Sequence, residues 1–574
     1  MQTYATATAI SREISYPELH LKGRWVSWLS PPPLGKVLVI FSYWAVIMYL
    51  LLNGAVVDDA YYWERIGFRG AWVSVTQVPL VYLLASKSSL IGFLIGISYE
   101  RLNWLHRWVS RTLLVTVTVH GAFFMAEWVR ADFVEIEIWM MPMVMYGLGA
   151  WAVLVWTFFT SLSPLRRIAY EFFVLQHIVS AGVFLWLLWV HVPSYAMYNI
   201  WFAIAAISFD WVLRLCLLFY QNIRLRPFRP LGNGMRRIGH PAKVQAMSSD
   251  ITILTIKDAH ISWKPGQHIH IWLPRLGLLE SHPFTIASRY TTSKECDCND
   301  IQLAIRAQSG FSKRIHRYAK RTQDHQDFPL TAFIAGPYGS PPRWDAFETL
   351  LLISASTGAS FTLPILESLL HNQAICTKRI SFLLVVHHRR HIDFYERRLS
   401  DALNRADAQG ISLTVEIAMT RDRDQPQQVE SSIHGQDGED DEKSDINTEN
   451  IQEKDHDSYM IASRNSNSAS SSNASSAQDI DIDHLKDGYQ ATKVMYEPEG
   501  RSQNILYSYR RPDIAAFIRG PIEATGGETS LAVCGGKSLV STVRNAVASL
   551  SDERAVHKGT GAQGIHLHVE EYSF

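Results

Sequence analysis

Several features that define common protein classes are absent from this 574-residue sequence. Its five cysteines are odd in number and scattered, which excludes a disulfide framework. Cys296 and Cys298 have no second pair near them, so a four-ligand zinc site is not indicated. The formal net charge is zero, which argues against a nucleic-acid-binding surface. The N-terminal segment 1–33 has no signal-peptide pattern and is predicted to be cytosolic.

The most informative residues that are present are four histidines in two long apolar segments. His106 and His120 are fourteen residues apart, and so are His177 and His191. On an α-helix this spacing is a rise of about 21 Å with a rotation of about −40°, so both rings project from nearly one face. Two such helices would offer two bis-imidazole sites, one near each leaflet, which suit two b-type haems. The alternative is hydrogen bonding between helices, which the doubled spacing makes the weaker interpretation.

Residues 34–222 are predicted to form a helical bundle that crosses a membrane about six times. The segments lie near Val37–Asn53, Ala71–Ala85, Trp104–Ala126, Met143–Thr160, Phe172–Val192 and Trp201–Phe219. Basic residues flank them mostly on one side, which places both termini in the cytosol. His106 and His177 then form an inner pair, and His120 and His191 form an outer pair.

The remainder of the chain has the pattern of soluble protein. Short alternating apolar runs in residues 236–345 predict an antiparallel β-barrel. Residues 346–421 and 503–574 alternate strands with helices, which predicts an α/β domain with a parallel sheet. Residues 422–502 combine an acidic tract with a Ser/Asn tract and few apolar residues, and they are predicted to form a disordered insert.

Motifs in the barrel resemble those of the ferredoxin–NADP reductase superfamily, in the form found in membrane ferric reductases and NADPH oxidases. His282-Pro-Phe-Thr285 resembles its flavin-binding motif, and the Gly310-Phe-Ser312 turn matches the place where the flavin pyrophosphate is held. A glycine turn that leads into a helix offers free amides to an anion. The FAD contacts that the resemblance implies are His282, Pro283, Phe284, Thr285, Arg306, Gly310, Ser312 and the terminal Phe574.

Further motifs resemble the pyridine-nucleotide sites of the same family. They are Gly336-Pro-Tyr-Gly339, Thr357-Gly358-Ala359 and the nicotinamide-side Cys534-Gly535. Arg389 and Arg390 follow the second strand of the α/β domain, where a guanidinium favours a 2′-phosphate and hence NADPH. A solvated basic loop is the alternative there, and Arg511 is a second candidate. The implied NADPH contacts are Gly336, Gly339, Thr357, Gly358, Ala359, Arg389, Arg390, Cys534 and Gly535.

Taken together, the sequence looks like a fungal-type ferric (metallo)reductase, a membrane flavocytochrome b related to NADPH oxidases. The resemblance implies FAD, NADPH and two haem b groups, and a ferredoxin–NADP reductase-like part attached to the membrane bundle. Electrons would pass to ferric or cupric chelates, siderophores included, with no catalytic acid or base. A superoxide-producing NADPH oxidase and a non-catalytic membrane scaffold are the alternatives. The plasma membrane is the expected location, with a vacuolar or other internal membrane as the alternative.

Overall fold

The structure is a computed structural model that describes most of the chain. The described residues are 2–19, 21, 30–224, 237–248, 250–278, 280–291, 299–322, 330–372, 375–421, 505–524, 527–553 and 565–571. The predicted insert at 422–502 and the proposed flavin contact Phe574 lie outside them.

Long helices dominate the N-terminal part of the described chain. They are α1 Gln2–Ser15, α2 Leu34–Leu52, α3 Tyr62–Ala85, α4 Leu90–Ile95, α5 Tyr99–Ala131, α6 Val134–Met140, α7 Pro142–Thr160, α8 Ser163–Ile168, α9 Tyr170–His191 and α10 Tyr198–Asn222. Five of them, α2, α5, α7, α9 and α10, are long and apolar enough to cross a membrane. This finding confirms a helical bundle of the membrane-spanning type.

Helix α3 corresponds to the remaining predicted span, and its 24 residues are long enough to cross a bilayer. It is not among the five helices named above, and its first turns carry Glu64, Arg65 and Arg69. It packs closely along α5, and its residues Gly67 and Gly70 permit the approach. A Cβ atom at Gly67 would lie 2.7 Å from the ring of Phe124. Small residues of this kind allow membrane helices to touch.

The middle of the chain forms the antiparallel barrel that the alternating pattern predicted. After a short pair, β1 Ile223–Arg224 and β2 Arg237–Ile238, its elements are β3 His240–Ala246, β4 Ile251–Ala259, β5 His268–Trp272, β6 Ser281–Thr285, β7 Asn299–Arg306, α11 Gly310–Arg321 and β8 Leu330–Tyr338. The strand order is β6-β5-β8-β3-β4-β7. Ala287 N donates to Gln302 O at 2.7 Å, which joins the segment after β6 to β7. A strand was expected at Phe284–Ser288; β6 instead begins at the polar Ser281, because it pairs along the whole of β5.

The C-terminal part forms a parallel α/β sheet, as predicted. Its elements are β9 Thr349–Ala355, α12 Ala359–Leu369, β10 Arg379–Val386, α13 Asp393–Ala408, β11 Ser412–Met419, β12 Ile505–Ser508, α14 Ile514–Glu523, β13 Thr529–Gly535, α15 Lys537–Glu553 and β14 Ile565–Glu571. The strand order is β12-β11-β10-β9-β13-β14. The order reverses between β9 and β13, and ligands of such sheets bind at that point, beyond the carboxyl ends of the strands.

The barrel lies against one end of the helical bundle. The Tyr99 hydroxyl, at the start of α5, is 2.9 Å from Nε2 of His270 on β5. At the end of α10, Asn222 donates to Ile334 O at 2.7 Å and accepts from Ile334 N at 2.8 Å. His106 is seven residues beyond Tyr99 on α5, so it lies on the side of the bundle that faces the barrel.

Candidate functional site

Two histidine pairs lie between α5 and α9. The ring centroids of His106 and His177 are 6.4 Å apart, and those of His120 and His191 are 6.3 Å apart. A metal–imidazole bond is about 2 Å, and the bonded nitrogen lies about 1 Å from its ring centre, so two imidazoles on opposite sides of one metal have centroids about 6 Å apart. Both pairs therefore have the spacing of two axial ligands.

Backbone carbonyls of neighbouring helices orient three of these four rings. The Nδ1 atoms donate as follows: His106 to Val81 O (3.0 Å), His120 to Gly67 O (2.9 Å) and His191 to Met143 O (2.8 Å). A carbonyl oxygen only accepts, so Nδ1 carries the proton and Nε2 keeps the lone pair that a metal needs. His177 is different, since its buried Nδ1 has no partner among the described residues.

A glycine of α7 provides the space for the outer ring of α9. A Cβ atom at Gly147 would lie 2.5 Å from Cε1 and 2.8 Å from Nδ1 of His191. Such contacts are far shorter than ordinary van der Waals distances, so any side chain at this position must displace the imidazole. No pattern in the sequence predicts this requirement.

The predicted flavin motifs meet at one end of the barrel. The ring of His282 on β6 stacks on Phe311 of α11 with centroids 4.5 Å apart and planes at 20°. Gly310 has φ +51°, a conformation that suits glycine, and it begins α11. The Ser312 hydroxyl donates to Ser309 O and accepts from Gln308 N, so in this structure it closes the turn. The sequence analysis did not identify Phe311 as the residue on which His282 stacks.

Arg306 is held by a carboxylate that the sequence analysis did not single out. Its Nε donates to Asp250 Oδ2 at 3.1 Å, and Nε2 of His391 lies 3.0 Å from Asp250 Oδ1. Burial acts to raise the pKa of Asp250, but the charges of His391 and Arg306 outweigh it and hold this pKa below its usual value. Because the carboxylate binds Nε, this contact does not occupy the two Nη nitrogens of Arg306.

Two of the predicted nucleotide motifs come together where the strand order reverses. Thr357 and Gly358 follow β9, and Cys534 is the second-last residue of the adjacent β13, opposite Ser354. A Cβ atom at Gly358 would lie 2.5 Å from Cys534 O, so this close approach requires glycine. Burial raises the pKa of the Cys534 thiol, which therefore stays protonated.

The other predicted nucleotide residues are distributed around this crevice. Ala359 is buried at the start of α12, and Gly535 is buried at the end of β13. Arg389 and Arg390 are exposed in the turn after β10, at the same edge of the sheet. Arg511 is also exposed, in the segment between β12 and α14.

The motif Gly336–Gly339 ends β8 of the barrel. The oxygen of Gly336 accepts from the Gln221 side chain at the end of α10, so this glycine lies against the bundle. Gly339 lines a cleft with Thr285, His268, Phe361 and His568. The cleft therefore lies between β6, which carries the predicted flavin motif, and the parallel sheet, and Gly339 but not Gly336 lines it.

Comparison with known proteins agrees with these three parts. Residues 70–188 match the ferric reductase like transmembrane component, residues 237–342 match an FAD-binding domain, and residues 347–548 match the ferric reductase NAD binding domain. A probable cell surface ferric reductase of Aspergillus oryzae is 28% identical over 58% of this chain and 44% of its own length. The chain is homologous to the fungal ferric reductases. It spans about half the length of the curated relatives it matches.

A further curated relative shows the same likeness. The ferric/cupric reductase transmembrane component 7 of Saccharomyces cerevisiae is 28% identical over 63% of this chain and 57% of its own length. A flavohemoglobin structure from Malassezia yamatoensis is 13% identical with a TM-score of 0.34, over 92% of this chain and 98% of that one.

Proposed function

We propose that this ferric reductase homologue carries electrons from cytosolic NADPH across a membrane and reduces ferric or cupric chelates on the opposite side. The observation that carries the proposal is the pair of histidine sites, each with centroids 6.3 to 6.4 Å apart, between helices that could span a bilayer. Their Nδ1 bonds leave Nε2 of His106, His120 and His191 available to iron.

Each cofactor would be held by residues already described. His106 with His177, and His120 with His191, would each hold the iron of one b-type haem. FAD accepts hydride and haem iron carries single electrons, so the bound groups supply the redox chemistry and the protein supplies position. Arg306, held by Asp250, and the Gly310 turn suit the flavin pyrophosphate.

NADPH is proposed as the donor because arginines lie at the expected end of its site. Arg389 and Arg390 are exposed beyond β10, where a 2′-phosphate would pair with a guanidinium. The crevice formed by Gly358 and Cys534 would receive the nicotinamide end. No acid or base is required, because the acceptor takes electrons alone.

The acceptor separates this proposal from two alternatives. NADPH oxidases resemble this chain, but their second histidine spacing is usually one residue shorter, whereas both spacings here are fourteen. A scaffold without cofactors would not need two histidine pairs with the spacing of metal ligands. We propose the plasma membrane as the location, since the Aspergillus oryzae relative is described as a cell surface reductase.

Membranes containing the full-length chain would test the function. We expect a low-spin b-type haem spectrum that NADPH reduces, followed by Fe(II) formation from a ferric chelate. The matched variant His120→Ala should block Fe(II) formation while NADPH still reduces the flavin. Superoxide without Fe(II) would support the oxidase, and the absence of a haem spectrum would support the scaffold.

A further inference from the structure

We infer that Arg101 of α5 and the segment Tyr16–Glu18 form a clamp on the C-terminal strand β14 and its helix α15, and that this clamp holds the nucleotide-binding sheet in position for hydride transfer. We call these contacts the β14 clamp. The inference rests on the proposed function and assigns a role to the N-terminal segment. The clamp residues are positioning residues, because none of them lies among the proposed cofactor contacts.

The first half of the clamp is a single guanidinium on the histidine-bearing helix. Nη2 of Arg101 donates to Glu570 Oε1 at 2.8 Å and to Val569 O at 3.0 Å, and it lies 2.7 Å from Nε2 of His568. All three contacted residues belong to β14. Arg101 is five residues before His106, a rise of about 7.5 Å on one helix. Strand β14 is thereby tied to the helix that carries the inner histidine.

The second half of the clamp lies in the segment between α1 and α2. Glu18 N donates to Asn545 Oδ1 and Glu18 O accepts from Asn545 Nδ2, both at 3.0 Å. The Glu18 carboxylate is 3.2 Å from Arg544 Nε, and the two side chains are only 4% and 16% exposed. Leu567 N donates to the Tyr16 hydroxyl at 3.1 Å. A buried charge pair of this kind depends on both partners being present.

Strand β14 is the edge of the sheet, and the clamp holds it from two places. Tyr16 binds an amide of this edge, and Arg101 binds the carboxyl end of the same strand. Two separated attachments resist rotation of the sheet, which a single attachment would permit. The barrel has its own attachments to the bundle, through Asn222 and His270. The clamp therefore acts together with direct contacts such as Asp250 with His391 in setting the position of the sheet relative to the barrel.

The position of the sheet matters because β14 borders the cleft described above. The His568 ring stacks on Phe361 with centroids 5.5 Å apart and planes at 10°. Both residues line the cleft together with Thr285 of the flavin motif and Glu570. A shift of about 1 Å in this region is enough to misalign two reacting groups. A loosened clamp should therefore slow the step in which the nicotinamide meets the flavin.

Charge-swap variants of the full-length protein test the clamp. In Arg101→Glu we expect NADPH-driven flavin reduction, followed anaerobically, to slow at least fivefold at saturating NADPH. Photochemical reduction of the flavin should still pass electrons to the haems at the parent rate, because the barrel keeps its own attachments. Because Glu570 lines the cleft, the double variant Arg101→Glu with Glu570→Arg is judged by hydrogen exchange alone. Glu18→Arg should slow flavin reduction in the same way as Arg101→Glu, and its combination with Arg544→Glu should restore the rate to within twofold.

The control and a measurement independent of activity complete the test. Arg519→Glu breaks an exposed pair with Glu523 on α14 and should leave both steps unchanged. Hydrogen exchange of residues 565–571 in cofactor-free protein should rise in Arg101→Glu and return in its double variant. The clamp would be overturned if Arg101→Glu kept the parent rate of flavin reduction and the parent hydrogen exchange. It would also be overturned if neither double variant restored the readout that it is measured by. If NADPH does not reduce the haems of the parent protein, the proposed function is wrong. The clamp would then be tested by hydrogen exchange alone.

Discussion

Replacing Gly147 by alanine should remove the outer histidine site and leave the inner one intact. The added Cβ atom would lie 2.5 Å from Cε1 of His191, whereas ordinary contact begins at 3.4 Å, so the ring must move by about 0.9 Å. That movement also disturbs the 2.8 Å bond from Nδ1 to Met143 O. A metal bond of about 2 Å does not tolerate such a displacement. Strain from overpacking should cost about 1–3 kcal/mol as well.

Gly149→Ala on the same helix provides a matched control. Its added Cβ atom would lie 3.5 Å from Leu187, an ordinary contact, so the variant should keep both sites and gain slightly in helix propensity. Reduced-minus-oxidised spectra of membranes measure the result. We expect the b-type absorbance of Gly147→Ala to fall to about half, with NADPH still reducing the remaining haem and Fe(II) formation lost. Full absorbance and parent Fe(II) formation in Gly147→Ala would refute the steric argument.

Three further predictions concern the soluble part of the chain. Asp250→Asn should weaken FAD binding to the cofactor-free protein about tenfold, because the arginine that it holds loses a charged hydrogen bond; unchanged affinity in a fluorescence titration would contradict this role. Buried Cys534 should resist iodoacetamide at pH 8 while exposed Cys376 reacts, and equal labelling by mass spectrometry would show that the thiol is accessible. Arg389→Ala combined with Arg390→Ala should reduce the preference for NADPH over NADH about tenfold with NADH rates unchanged, and a retained preference would direct attention to Arg511.

Much of the fold follows from patterns that depend on periodicity alone. The fourteen-residue spacing identifies one face of a helix, and α5 and α9 indeed bring His106 to His177 and His120 to His191. Alternating and continuous apolar runs likewise separate the antiparallel barrel from the parallel sheet. These signals succeed because each one is local and reports which side of an element is buried.

Contacts between distant segments leave no comparable signal in the sequence. Asp250 precedes β4 as an ordinary turn carboxylate, and only the fold brings it between Arg306 and His391. In the sequence, Arg101 is one of the basic residues that flank a predicted membrane span, yet its partners lie more than 460 residues later in the chain. In the sequence, Gly147 is one of several small residues in a predicted apolar helix. Their roles depend on partners that periodicity does not reveal.

Helix α3, which carries charged residues in its first turns, has a clear role in orienting the histidines of α5. Its carbonyls at Gly67 and Val81 accept from His120 and His106, and these two acceptors are themselves fourteen residues apart. Antiparallel packing of α3 on α5 therefore orients both rings with one repeated geometry. Such partners fix the tautomer and raise the basicity of a metal ligand. Because both bonds use only backbone oxygens of α3, the helix can carry charge in its first turns without losing this role.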